Sequence, residues 1–338
     1  MRCDRMGRGF VACFCLVAAW LVPTLPADAW SAAGHRIIAN IAFDRLDPAV
    51  RSGIVDTIRR HEDFEKRFAA NMPDDIKNGD AAIQERWIFL QASIWPDLAR
   101  GSKFSKGPWH YVDMPFYLSV LDQMALEGTI KPNISSELPK PLTAQAKENL
   151  NCLQAFSLCL QGVADPNATA EERAIGYCWI LHIGGDIHQP LHSTALMSRA
   201  RFNTADGDRG GNSIRVQQRG NLHSLWDGLL GGNQSLNEIR SRSADLVRDP
   251  DLKAAGEKAA GTLAIEAWAK ESHHLCKTVV YNQAILAEVT EREADATQPL
   301  RAVDLDEDYL KQAGKVARQR VVEAGYRLAA VLSNQRPR

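Results

Sequence analysis

No C-x-x-C pair occurs anywhere in the 338 residues, so a zinc site built on closely spaced thiolates is not expected. Long hydrophobic runs are also scarce. The one clear case, Phe10 to Val22, is short for a bilayer span, and no second follows it. It lies behind Arg2, Arg5 and Arg8 and ahead of Ala27-Asp28-Ala29, the pattern of a secretory signal peptide. Residues 1–29 are therefore expected to be removed, leaving a mature chain that begins at Trp30. Charge of one sign is lacking too. The formal net charge of −1 gives no whole-protein attraction to nucleic acid, so any phosphate affinity must be local. Repeats and low-complexity tracts are absent, which argues against a solenoid.

Of seven cysteines, Cys3, Cys13 and Cys15 would leave with the leader. Cys152, Cys159, Cys178 and Cys276 remain. An even number in an exported chain points to two disulfides, with three possible connectivities, and four buried thiols fit the same count.

What the chain does have is helical periodicity. Thr169 with Glu172 forms a capping box, and Ile175, Trp179, His182 and Asp186 then follow one helix face. Amphipathic stretches run over Asp47 to Phe68, Ala81 to Leu98 with an interruption at Pro96, Phe116 to Glu127 and Thr143 to Gly162. Later ones cover 222–229, 236–247, 252–271, 279–290 and 306–332. The only hairpin signal is Ser213 to Val216 with a turn near Arg219-Gly220. The expected fold is all-α: one mainly helical domain, residues 30–338, with long loops and a short β-hairpin.

The stretch that carries chemistry is L-H-I-G-G-D-I-H-Q-P-L-H, residues 181–192. His182 and Asp186 are four apart and share a helix face. Pro190 ends the helix and puts His192 where it can turn back to the same cavity. Two imidazoles and a carboxylate suit zinc. N-L-H-S-L-W-D repeats the pattern with His223 and Asp227. Further donors stand at His35, at Asp97 in W-P-D, and at His110 and Asp113 in W-H-Y-V-D. A lone Asp or His is more often a satisfied structural group. Two His-x-x-x-Asp pairs with His192 shift the balance toward a polymetal site. After cleavage Trp30 would offer a free α-amino group with a pKa of about 8.

These motifs, with G-G-N at 210–212, occur in the order found in the S-one/P-one nucleases. The chain resembles that family of zinc-dependent, single-strand-preferring nucleases, which is related to zinc phospholipase C. The resemblance runs over motifs from Trp30 to Asp227. It implies a phospholipase C/nuclease-like helical fold and three zinc ions. One would be held by Asp97, His110, His182 and Asp186. A second would take the Trp30 amine and carbonyl, His35 and the other oxygen of Asp186. The third would take His192, His223 and Asp227. It also implies that Arg100 neutralises the phosphoryl transition state and that Asp113 orients the nucleophile or that cation. Tyr111 would stack a base and Asn212 would read a base edge. The implied activity is hydrolysis of single-stranded DNA and RNA to 5′-phosphates, with action on 3′-nucleotides. A zinc phospholipase C, or dual activity, is the alternative. Secretion or a periplasmic location, a monomer and no stable protein partner are expected. His188 is given no ligand role and is kept at the helix end behind the ligands. His61, His273 and His274 match nothing and are expected to be solvated. Residues 114–141 and the basic stretch with Arg199, Arg201 and Arg209 depart from the family pattern.

Overall fold

The computed structural model describes residues 30–335 apart from Asn233. The expected leader, residues 1–29, lies outside the described residues. No helix among the described residues is long and apolar enough to cross a membrane.

Side-chain caps start most of the helices. α1 (Ala32–Arg45) is followed by α2 (Pro48–Ile58), where Asp47 accepts from Ala49 N and Pro48 takes an N-terminal position that needs no N–H donor. After α3 (Asp74–Lys77), Asp80 caps α4 (Ala81–Ala92). The expected break at Pro96 falls earlier, at Ser93-Ile94, and Pro96 opens α5 (Trp95–Leu98). A proline is tolerated in a first turn, so it starts this helix rather than ending one. Ser119 caps α6 (Val120–Leu126), and Thr143 caps α7 (Ala144–Glu148). The stretch expected to be one helix from Thr143 breaks before Asn151, whose capping box with Gln154 opens α8 (Cys152–Ala164). The Thr169–Glu172 box opens α9 (Ala170–Asp186), which ends at the residue that matters most for the site.

Asn221 caps α10 (Leu222–Asp227), and Ser235 with Glu238 boxes α11 (Leu236–Arg248). α12 (Pro250–Ala259) and α13 (Ile265–Leu275) are separated around Gly261 where one helix was expected. α14 (Gln283–Glu293) and α15 (Glu307–Asn334) complete the chain. α15 packs along α1 and α12, and α8 along α9. The main apolar core lies among them and includes Trp30, Trp95, Trp179 and Trp268. A smaller core, with Trp226, Tyr281 and Tyr309, lies under α10 and α14.

The expected hairpin does not form. Strands β1 (Pro115–Tyr117) and β2 (Ala195–Met197) pair in parallel, Pro115 opposite Ala195. Val216 makes only an isolated parallel bridge to Val303. The turn at Arg219-Gly220 delivers the chain to the Asn221 cap, so no residues remain for a return strand.

Neither of the two disulfides forms. All four cysteines are buried free thiols. Cys152, Cys159 and Cys178 belong to the main core and Cys276 to the smaller one, where they pack as small apolar side chains. His61 is buried rather than solvated. Its ring meets Trp95 edge-on at 4.3 Å, and its Nδ1 accepts from Asp63 N at 2.9 Å. Burial lowers its pKa to about 4. His273 is half-buried and shares a hydrogen bond with Thr194, whereas His274 is exposed.

Candidate metal centre

α1, α9 and α10 bring the sequence-predicted donors together beside the α5 turn. Trp30 is fully buried; its indole Nε1 donates to Gly185 O at 3.1 Å. Ser31 N donates to Asp227 O at 3.0 Å, tying the start of α1 to the end of α10. His35, one turn on, places Nε2 3.1 Å from Asp186 Oδ1. Both atoms are buried, and neither has a hydrogen-bond partner. This approach needs glycine at 185, because a Cβ there would lie 2.7 Å from His35 Nδ1.

Three adjoining groups result: His35, His182 and Asp186; Asp97, His110 and His182; His192, His223 and Asp227. Asp186 Oδ2 lies 3.1 Å from His110 Nδ1 and 3.2 Å from His182 Nε2, so its two oxygens face different histidines.

Backbone carbonyls set the imidazole tautomers. A carbonyl only accepts, so each nitrogen that meets one carries the proton. His182 Nδ1 donates to Ser93 O at 2.8 Å. His192 Nδ1 donates to His110 O, and His223 Nδ1 to Gly210 O, both at 2.7 Å. In the neutral rings the Nε2 lone pairs of His192 and His223 then face each other across 3.1 Å. Burial, and for His223 also the neighbouring His192, lowers both pKa values, His223 to about 3, which favours the neutral rings. A cation does fit. Two zinc–nitrogen bonds of about 2.0–2.1 Å at a tetrahedral angle separate their nitrogens by about 3.3 Å. Asp227 completes the group. Its Oδ2 is 3.5 Å from His223 Nε2, and Gln189 Nε2 holds its Oδ1 at 2.8 Å.

The other corner attracts positive charge. Burial alone would lower the His182 pKa, but Asp186 and Asp97 outweigh it and raise it to about 9. Burial likewise pushes both carboxyls up, yet His182 leads the groups that hold Asp97 low and Asp186 well below the usual range. With the orphaned His35 and Asp186 atoms, this donor set fits divalent cations.

Beside the clusters lies a cleft of ≈ 250 Å³ lined by Arg100, Tyr111, Asp113, Asn212 and Arg209, together with His110, His192 and His223. Arg100 Nη2 donates to Asp97 Oδ1 at 2.8 Å. Burial, then Asp206 and Asp208, pushes the Asp113 carboxyl up to about 7. Tyr111 is half-exposed, and Asn212 Nδ2 donates to Arg209 O at 2.8 Å. Arg199 and Arg201 point their charges elsewhere, to Asp122 and to carbonyls of residues 292–298.

Two supporting residues escaped the sequence reading. Gln189 holds Asp227, and its only mark is its place inside the H-Q-P-L-H run. Asp208 is fully buried and accepts from Leu196 N, Gly211 N and Tyr281 Oη. It braces the Gly210 turn, whose φ of 56° lies in the left-handed region and whose carbonyl orients His223. An acid just ahead of a Gly-Gly pair was the available signal. His188 is no ligand here: its Nδ1 donates to Gly184 O and its Nε2 accepts from Arg327, behind the centre.

Fold and site define a class: a mainly helical protein with three adjoining candidate metal-binding clusters beside one cleft. A family model described as S1/P1 nuclease matches residues 30–335, and the chain belongs to the S1/P1 nuclease family. It is similar to Endonuclease 2 of Arabidopsis thaliana, with 22% identity over 330 residues, 96% of this chain and 97% of that one. To Nuclease S1 of Aspergillus oryzae it is 28% identical, over 54% of this chain and 61% of that one. To Nuclease P1 of Penicillium citrinum it is 26% identical, over 52% and 63%. Family membership makes the protein a nuclease and a hydrolase.

Proposed function

We propose that the mature chain, residues 30–338, is an exported zinc phosphodiesterase that cuts single-stranded DNA and RNA. It leaves 5′-phosphates and also removes phosphate from 3′-nucleotides. The observation that carries this reading is the pair His192 and His223, whose Nε2 atoms face each other 3.1 Å apart while both Nδ1 atoms meet backbone carbonyls.

Asp97, His110, His182 and Asp186 would hold one zinc; Trp30, His35 and Asp186 a second; His192, His223 and Asp227 a third. When bound, such ions supply an activated water near neutral pH and stabilise charge on the departing oxygen. The chain's own groups do the rest. Arg100 sets a cation at the cleft edge, where it can meet phosphoryl oxygens in the transition state. Asp113, its pKa raised to about 7 by burial and its side chain at the cleft wall, can orient the attacking water or the Arg100 cation. Tyr111 offers a ring face to an unstacked base, and Asn212, with its amide nitrogen committed to Arg209, offers its carbonyl oxygen to a base edge. A narrow cleft over a buried centre favours a base that is already unpaired, hence single strands.

The test is Asp186→Asn, with metal content by mass spectrometry and cleavage of single- and double-stranded DNA before and after chelation. Loss of at least one metal equivalent together with activity is expected. A fully active variant, or a zinc-free enzyme at full rate, defeats the proposal. One observation favours the lipid alternative: on α6, Val120, Leu121 and Met124 are 72%, 61% and 76% exposed. Rates on single-stranded DNA and on a phosphatidylcholine analogue separate the two.

A further inference from the structure

A second cavity, ≈ 660 Å³ and larger than the cleft, opens among the start of α1, α4, α5 and α11. Its size falls among ligand pockets, roughly 300–1,000 Å³. Trp87, Leu90, Ile94, Leu98, Leu236 and Ile239 give it apolar walls. One charged side chain, Arg36, lines it.

Arg36 is partly buried, and its setting differs from that of the fully buried Arg320 and Arg327. Arg320 and Arg327 both pair with Glu271, at 2.8 and 2.7 Å, and Arg86 pairs with Asp44 at 2.6 Å. Arg36 has no carboxylate among the described residues. Its Nη2 donates to the neutral Gln91 Oε1 at 2.7 Å, and burial alone shifts its pKa, downward. Gln91 is 3% exposed and anchored in turn, its Nε2 donating to Arg67 O at 3.0 Å. The guanidinium is thus held in place by an amide that cannot neutralise it. Drawing a cation even partly out of water is costly, and an anion in the cavity would complete the pair.

We propose that this cavity binds a small amphiphilic anion, a carboxylate on an aliphatic or aromatic body, with Arg36 taking the head. A guanidinium fork matches a carboxylate in a two-point contact. A single cation fits a monoanion. The walls suit a largely apolar body better than a sugar, because several polar groups at the rim are committed, Ser31 Oγ to Gly231 O, Ser235 Oγ to Glu238, and Asn71 Nδ2 to Lys66 O, which leaves Gln234 Oε1 as a buried acceptor without a partner among the described residues. An anion held there abuts the first turn of α1, the helix that carries His35. The proposal is independent of which bond the enzyme cleaves.

The experiment is titration calorimetry of the metal-loaded protein with decanoate, with 1-decanol and adenosine 5′-monophosphate as comparison probes. The variants are Arg36→Met, Arg36→Lys and Leu236→Trp, each checked for fold by circular dichroism. One decanoate per chain is expected. Affinity should fall roughly tenfold or more in Arg36→Met, fall by less in Arg36→Lys, which keeps the charge but loses the two-point contact, and vanish when Leu236→Trp fills the cavity. If Arg36→Met does not fold, Leu236→Trp and 1-decanol decide. Decanol binding as tightly as decanoate, adenosine monophosphate displacing decanoate at equal concentration, or decanoate binding unchanged in Leu236→Trp would each overturn the assignment. So would the absence of saturable binding.

Discussion

Gly185→Ala isolates the metal-binding geometry from the fold. The new Cβ would lie 2.7 Å from His35 Nδ1 and 3.0 Å from its Cε1, so something must yield by several tenths of an ångström. The ring has little room, since it is stacked on His182 with centroids 4.3 Å apart and planes 14° apart. Overpacking of this kind costs about 1–3 kcal/mol, and replacing a glycine by alanine in the last turn of α9 returns at most about 1 kcal/mol. The net loss is about 0–3 kcal/mol, at most several degrees of melting temperature at this chain length. Metal affinity responds more steeply, because ligand positions are held to about 0.2 Å. Displacing His35 is expected to weaken one metal equivalent by about 10–100-fold. Gly184→Ala is the control. Its Cβ would run into Leu328 Cδ2 and lie 2.9 Å from its Cγ, a clash with a buried core side chain and not with a donor. Equilibrium dialysis with elemental analysis, alongside thermal unfolding, reads both quantities. Gly185→Ala should lose one equivalent with a small drop in stability, and Gly184→Ala should lose stability alone. If Gly185→Ala binds metal like the parent, or Gly184→Ala loses as much, then His35 does not depend on this close approach.

Burial pushes Asp208 up to about 7 despite three donors, so the folded protein binds its proton more tightly than the unfolded chain, where the pKa is about 4. Its contribution to stability is full below about pH 4 and is lost as pH rises through 7. Urea midpoints of the parent should therefore fall relative to Asp208→Asn across that window, and parallel profiles would contradict the assigned burial. For the thiols, a chromogenic thiol reagent should find none reactive in the native mature protein and four after denaturation without reductant. A result of zero after denaturation would restore the two disulfides. Extra residues ahead of Trp30 should remove one metal equivalent and most of the activity; an unchanged rate would take Trp30 out of the centre.

How far the chain could be read without its fold follows from where each signal is stored. The phase of α9 is local: the Thr169–Glu172 box sets its start, and the four-residue spacing then puts His182 and Asp186 on one side. The other donors were legible as motifs, although spacing alone could not show that His35 and Asp186 meet from positions 151 residues apart. Helix breaks were misplaced where a cap outweighed continuing periodicity, as at Asn151, where a proline began a turn, as at Pro96, and where the chain breaks around Gly261. The cysteines and His61 were misjudged because their fate depends on neighbours brought by tertiary packing: Trp95 and Phe104 for His61, two separate cores for the thiols. The tautomers were the least legible part. They are set by the carbonyls of Ser93, His110 and Gly210, and a carbonyl belongs to every residue, so no side chain records it. What makes His192 and His223 candidate ligands rather than an ordinary imidazole pair is therefore a backbone property of two loops. Asp208 enters the site in the same indirect way. It touches no donor atom, but it holds the turn that aims a carbonyl at His223. Its replacement is thus expected to disturb the third cluster before the fold.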